Sequence, residues 1–143
     1  MPFIRIWIHV VWSTKNRVPS LLKSTRQKIF QHIKDNGKLK NIHVDFVNGH
    51  IDHVHCLISL KATQDIATIV QLLKGESSYW VNKHQLLPEA LEWQDDYFAV
   101  SVSESGVNAV REYIKNQEEH HKKKTYKQEY NEFIEVYGFN LDN

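Results

Sequence analysis

A single cysteine, Cys56, is all the thiol chemistry this chain of 143 residues possesses. That excludes an intrachain disulfide and a cysteine-based zinc site. Its apolar neighbours predict a buried, inert thiol rather than a nucleophile. Long hydrophobic runs are absent as well. The most apolar stretch, Phe3 to Trp12, is interrupted by Arg5 and His9; it is too short to span a bilayer and lacks the small-residue cleavage site of a secretory leader. The expectation is a cytoplasmic protein with no membrane partner. Nor is there an excess of charge of one sign. The formal net charge is +1, so the chain is not a generic polycation, and any contact with nucleic acid must come from local basic clusters. No repeat, low-complexity tract or linker divides the sequence. With 41% hydrophobic and 24% charged residues, residues 1–143 read as one domain able to bury a core.

What is present alternates strand and helix signals. Residues 3–14 read as a strand, with Ile4, Ile6, Ile8, Val10 and Trp12 on one face and Arg5, Trp7, His9 and Ser13 on the other. Residues 21–36 read as a helix with Leu22, Ile29, Phe30 and Ile33 inward, stopped by Gly37. Strands over 41–48 and 51–60 flank the Asn48-Gly49 turn signal and form a hairpin. Thr63 is a candidate N-cap for a helix over 65–83, where Ile66, Ile69, Val70 and Leu73 share one face. A fourth strand covers 97–102. Ser105 is placed to cap a helix over 107–123, and a last amphipathic helix covers 126–137. The order βαββαβ with extra C-terminal helices predicts an α+β, ferredoxin-like fold: one antiparallel sheet with helices on a face.

Two short motifs carry the chemistry. In His53-Val54-His55, side chains two apart on a strand share a face. Val54, Cys56, Ile58 and Leu60 take the apolar side, so both imidazoles project from the other and can share a divalent ion. Nine histidines in the chain give roughly 0.6 His-x-His triplets by chance, so the pair needs context. The context is Tyr113-Ile114-Lys115-Asn116-Gln117. On a helix Tyr113, Gln117 and His121 form one stripe along the edge of the apolar face of Val107, Val110 and Ile114. A Gln carbonyl is a hard, neutral ligand. Two imidazoles and one oxygen leave positions for phosphate oxygens, where a metal polarises the phosphate and stabilises a departing oxygen. Nearby positive charge also lowers the pKa of a phenol, otherwise a poor nucleophile near neutral pH. His121 is an alternative third ligand if Gln117 points away. Asp52 should point to the face opposite His53 and is not assigned as a ligand. His9 lies on the non-core face of the first strand and is read as structural or as a support for the site.

Taken together, four stretches resemble the single-tyrosine HUH transposases of insertion sequences that move as single-stranded DNA, and their relatives associated with repetitive extragenic palindromes. They are His9–Arg17, Asp52-His53-Val54-His55, Trp93–Phe98 and Tyr113–His121, spread through the chain. The resemblance implies that His53, His55 and Gln117 are metal ligands and that Tyr113 is the nucleophile. It implies cleavage of one strand with a 5′-phosphotyrosine link, a released 3′-hydroxyl, and rejoining by a second 3′-hydroxyl. No nucleotide cofactor is implied, because the covalent link conserves the bond energy. Mg²⁺ and Mn²⁺ both fit the donor set. The implied partners are single-stranded DNA with stem-loops and a second copy in a homodimer, whose tyrosine helix can serve the other copy's histidine pair.

For DNA contacts the sequence offers Lys15, Arg17, Lys23, Arg26 and Lys28 after the first strand, Lys122-Lys123-Lys124 later, and Lys74 and His120. Trp7, Trp12 and Trp80 could stack on unpaired bases, against the alternative of core tryptophans. The C-terminal segment Tyr126 to Phe139 reads as a packing or dimer helix. Two other functions stay open on the residues alone: a non-catalytic nucleic-acid-binding module of the same fold, although no RNP-type aromatic run is present, and a small metal-dependent hydrolase that ignores Tyr113.

Overall fold

The structure, a computed structural model, describes residues 2–137. Four strands, β1 (Ile6–Ser13), β2 (His43–Gly49), β3 (His53–Leu60) and β4 (Phe98–Val102), form one antiparallel sheet in the order β2-β3-β1-β4. The helices are α1 (Lys23–Leu39), α2 (Ile66–Lys83), α3 (Val107–Lys115), α4 (Gln117–His121) and α5 (Tyr126–Tyr137). The βαββαβ order and the antiparallel sheet agree with the α+β expectation. Of the expected C-terminal segment, residues 138 and 139 lie outside the described residues.

Strand alternation builds two different interiors from the same strands. Val10 and Trp12 of β1 and Val54, Cys56 and Ile58 of β3 face α1 and α2, where Ile29, Phe30, Ile33, Ile69, Val70 and Leu73 close an apolar core. Ile4 and Ile6, at the open end of the expected face, are exposed. On the reverse face Trp7 and Leu57 meet Val107 and Ile114 of α3. Helices therefore cover both faces, not one: Trp7, His9 and Val11 are buried on one side as Val10 and Trp12 are on the other. Trp7 and Trp12 are core residues, and Trp80 stacks on His32 at 3.7 Å between ring centroids. Cys56 is fully buried, and burial pushes its thiol pKa up.

Local chemistry corrects several expectations. Gly37 does not stop α1, which runs on to Leu39; the glycine serves close approach, since a Cβ there would sit 2.8 Å from Val44 Cγ2. The N-cap of α2 is Asp65 rather than Thr63: its carboxylate accepts from Thr68 N at 2.8 Å. Ser105 lies in the turn before α3 and caps nothing; Gly106 occupies the N-cap position. The expected 107–123 helix is broken at Asn116, whose φ and ψ are −93° and 27°. The carbonyls freed at that break, Ile114 and Lys115, accept from Asn48 Nδ2 of β2 at 3.0 and 3.1 Å. β2 thus fixes where the tyrosine helix ends and where Gln117 begins. A register irregularity between Val44 and Phe46 accompanies a second tie: Arg111 of α3 donates to both carboxylate oxygens of Asp45 at 2.6 and 2.9 Å.

Candidate metal centre and tyrosine site

His53 and His55 leave β3 on the face covered by α3, α4 and α5, with no exposed surface. Register places Val11 beside His55 and Ser13 beside His53, so the β1 neighbours cannot crowd the imidazoles apart. His53 Nδ1 donates to Asp52 Oδ1 at 2.9 Å. This corrects the expected orientation of Asp52: the residue precedes the first paired position of β3, so strand alternation does not govern its side chain. The bond fixes the tautomer, leaving the His53 Nε2 lone pair facing inward. His55 Nδ1 and His9 Nε2 share a hydrogen bond at 2.9 Å, so His9 braces the His55 imidazole.

Gln117, the first residue of α4, is fully buried. Its amide nitrogen donates to Tyr113 O at 3.2 Å, which turns Oε1 toward His53 Nε2 at 3.0 Å. His121 Nε2 reaches the same oxygen at 3.1 Å, while its Nδ1 donates to Lys124 O at 2.6 Å. Two imidazole lone pairs therefore point at a carbonyl oxygen, acceptor against acceptor. That is the donor set a divalent cation satisfies, so the residues fit a metal. Gln117 points into the site, and His121 lies beside it rather than replacing it.

Tyr113, half-buried on α3, is brought to the histidine pair of its own chain; its ring lies 5.6 Å from the His55 ring. Its hydroxyl donates to Glu129 Oε2 at 2.5 Å, and His120 Nε2 is 3.3 Å away. Glu129, on α5, was not singled out by sequence. It is buried, and its other oxygen lies 2.9 Å from His55 Nε2 and 3.6 Å from His53 Nε2. His120 Nε2 stands 2.8 Å from Oε2. A signal did exist: Glu129 lies three residues after Tyr126 and four before Phe133, a carboxylate on the apolar stripe of an amphipathic helix.

Burial sets the electrostatics. It pushes the His9 pKa down to about 3, helped by the neighbouring His55 charge and opposed by Glu129. It pushes His55 down to about 4 against the hydrogen bond and charge of Glu129. Neutral imidazole is the ligating form. The Tyr113 phenol is raised above its ordinary value, first by burial and then by the charge and hydrogen bond of Glu129. Burial alone would raise Glu129, yet the imidazoles of His121, His55 and His53 packed around it hold it below the usual carboxylate range.

The other sequence candidates lie elsewhere or are already engaged. Lys15 pairs with Glu92 at 3.4 Å on the surface. The Arg17 guanidinium lies over the rings of Tyr126 and Tyr130 at 5.6 and 5.0 Å, against α5. Lys74 donates to the carbonyls of Gln94 and Asp95 at the wall of an open cavity of about 410 Å³. Arg26 is buried and paired with Glu118 at 2.8 Å. Lys122 and Lys124 pair with Glu119 and Glu132. Among the free-standing features, an open cavity of about 600 Å³ adjoins Tyr113, lined also by Asn116, His120, Lys123 and Lys124. Among the described residues no helix is long and apolar enough to cross a membrane.

Comparison with known proteins gives a family and a fold. The model of the family described as "Transposase IS200 like" matches residues 3–117. No curated protein matches the chain. Among solved structures, the chain is similar to a "putative transposase" from Deinococcus radiodurans R1, with a TM-score of 0.62 and 23% identity over 81% of this chain and 93% of that one. It is also similar to a REP-associated tyrosine transposase bound to a REP hairpin, with a TM-score of 0.62 and 14% identity over 85% of this chain and 72% of that one. At these identities the likeness is one of fold.

Proposed function

Because this chain belongs to the family of IS200-like transposases, we propose that it cleaves and rejoins single-stranded DNA through a covalent link to Tyr113, recognising stem-loops at the ends of the element it moves. The observation that carries this reading is the convergence of Tyr113 and Gln117 on the His53–His55 pair within one chain. His53, His55 and Gln117 would hold a divalent ion, Mg²⁺ or Mn²⁺, with Mn²⁺ the better match to imidazole. When bound, that ion polarises the scissile phosphate and stabilises the departing oxygen. Asp52 and His9 keep the two imidazoles in their ligating orientation.

The phenol loses its proton as Tyr113 Oη bonds to phosphorus. The bond from phosphorus to the 3′ oxygen breaks, and that oxygen leaves as a 3′-hydroxyl. A second 3′-hydroxyl then attacks the phosphotyrosine, and Tyr113 recovers its proton. Bonds are exchanged one for one, so no nucleotide cofactor is consumed. Glu129 stands between the phenol and the histidine pair, so a phosphodiester must take over part of that position. Lys15, Arg17, Lys74 and His120 remain the DNA-contact candidates. Lys123 and Lys124 beside the Tyr113 cavity are further ones supported by position. In this reading residues 1–143 act as one catalytic domain in the cytoplasm. A homodimer joined at the sheet edges β2 or β4 is compatible with a tyrosine used in its own subunit.

The test is incubation with labelled single-stranded stem-loop DNA from the flanks of the protein's own gene, with Mg²⁺ or Mn²⁺. The expected result is a denaturant-resistant adduct on single strands, lost with chelator, with duplex DNA and in Tyr113→Phe. Tight stem-loop binding with no adduct would favour a binding module of the same fold. Turnover surviving Tyr113→Phe but not His53→Ala would favour a hydrolase.

A further inference from the structure

Glu129 lies beyond the residues that the family model matches, yet it is the acid at the heart of the site. Resting on the metal-site reading above, we propose that Glu129 is a fourth protein ligand of the divalent ion in the DNA-free protein, carried into the centre by α5. Spacing is the first argument. Ligand atoms at right angles around one octahedral ion, each about 2.1 Å from it, lie about 3 Å apart. His53 Nε2 to Gln117 Oε1 is 3.0 Å and His55 Nε2 to Glu129 Oε1 is 2.9 Å, with Glu129 Oε1 3.6 Å from His53 Nε2. Atoms of His53, His55 and Glu129 all fall within 4.8 Å of one another.

Charge is the second argument. A buried carboxylate needs a compensating cation. Among the described residues the ion-pair partners of Glu129 are all imidazoles, His53, His55, His120 and His121, none of them a permanent cation. No lysine or arginine of the described residues makes an ion pair with it, whereas a divalent ion would. The third argument is the division of labour between the two oxygens. Oε1 faces the histidine pair, while Oε2 accepts from the Tyr113 hydroxyl at 2.5 Å. One carboxylate thus ties the nucleophile to the metal position. Four protein ligands leave two octahedral positions.

Mn²⁺ titration of the full-length, DNA-free protein, read by electron paramagnetic resonance and calorimetry, tests the proposal. Wild type should bind one Mn²⁺ in this centre. Glu129→Gln, isosteric and neutral, should weaken it at least tenfold, because even residues that only orient metal ligands are worth about 10–100-fold. The rise of Tm with Mn²⁺ should shrink in parallel. If Glu129→Gln does not fold, Glu129→Asp keeps the charge but withdraws it by one methylene, and should also lose affinity. Unchanged affinity in the folded Glu129 variant, with affinity abolished in His53→Ala, overturns the Glu129 proposal and leaves the His-His-Gln centre standing. Unchanged affinity in His53→Ala overturns the metal-site reading itself and this proposal with it.

Discussion

The two faces of the sheet are made by alternate residues of the same strands, yet only one of them buries a polar cluster. Toward α1 and α2 the interior is apolar, with Val10, Trp12, Val54, Cys56 and Ile58 fully buried. Toward α3, α4 and α5 a smaller apolar cluster of Trp7, Leu57, Val107 and Ile114 adjoins a buried polar set of His9, His53, His55, Gln117 and Glu129. The first face is where burial supplies stability, at roughly 25 cal/mol per Å² of apolar surface removed from water. The second buries polar groups that stabilise little unless each is partnered. Their hydrogen bonds close almost entirely on one another, and the lone-pair conflict at Gln117 Oε1 is one that a cation resolves. The first face holds the larger part of the core and the second holds the chemistry, so substitutions of Ile58 and of the histidine pair should separate.

The largest effect is expected from His53→Ala or His55→Ala. Each should cut metal-dependent adduct formation at least ~100-fold and abolish Mn²⁺ binding, while the circular dichroism of the fold persists; quantified adduct yield and Mn²⁺ titration check this. The mirror experiment is Ile58→Ala on the other side of β3. Removing this fully buried side chain should cost about 2–5 kcal/mol in denaturant unfolding, with Mn²⁺ affinity unchanged while the protein stays folded. Equal losses of metal binding from both substitutions would erase the distinction between the faces. Gly37→Ala should be milder. The added Cβ would press on Val44 Cγ2 at 2.8 Å, and overpacking of about 1–3 kcal/mol outweighs the ~0.5–1 kcal/mol helix benefit of alanine.

The smallest effect belongs to the tie between β2 and the tyrosine helix. The Arg111 guanidinium holds the Asp45 pKa below its ordinary value, chiefly by hydrogen bonding. A folded pKa below the unfolded one gives stability that is present above the unfolded value and lost as pH falls through the folded one. Asp45→Asn should therefore flatten the acid limb of the Tm-against-pH curve and leave Tm near pH 7 only slightly lowered. An unaltered acid limb would mean the pair does not hold α3 to the sheet.

The sequence makes the first face and half of the second legible for physical reasons. Strand alternation fixes where His53 and His55 point, and helical spacing puts Tyr113 and Gln117 on one side. Position-specific chemistry is where legibility ends. Asp52 lies just outside β3, so alternation misplaced it. The helix break at Asn116 depends on Asn48 of a distant strand satisfying two carbonyls. Asp65 displaced Thr63 as a cap because its carboxylate takes both the amide and the hydroxyl of Thr68. Glu129 joins the centre through a tertiary contact, and an amphipathic stripe alone does not reveal that the acid on it meets four imidazoles.

The most direct test of the central claim is to locate the covalent link. After reaction with single-stranded stem-loop DNA and Mn²⁺, proteolysis and mass spectrometry should find the nucleotide mass on the peptide containing Tyr113, attached through its phenolic oxygen. A nucleotide attached to any other residue, or an adduct of undiminished yield in Tyr113→Phe, would contradict it.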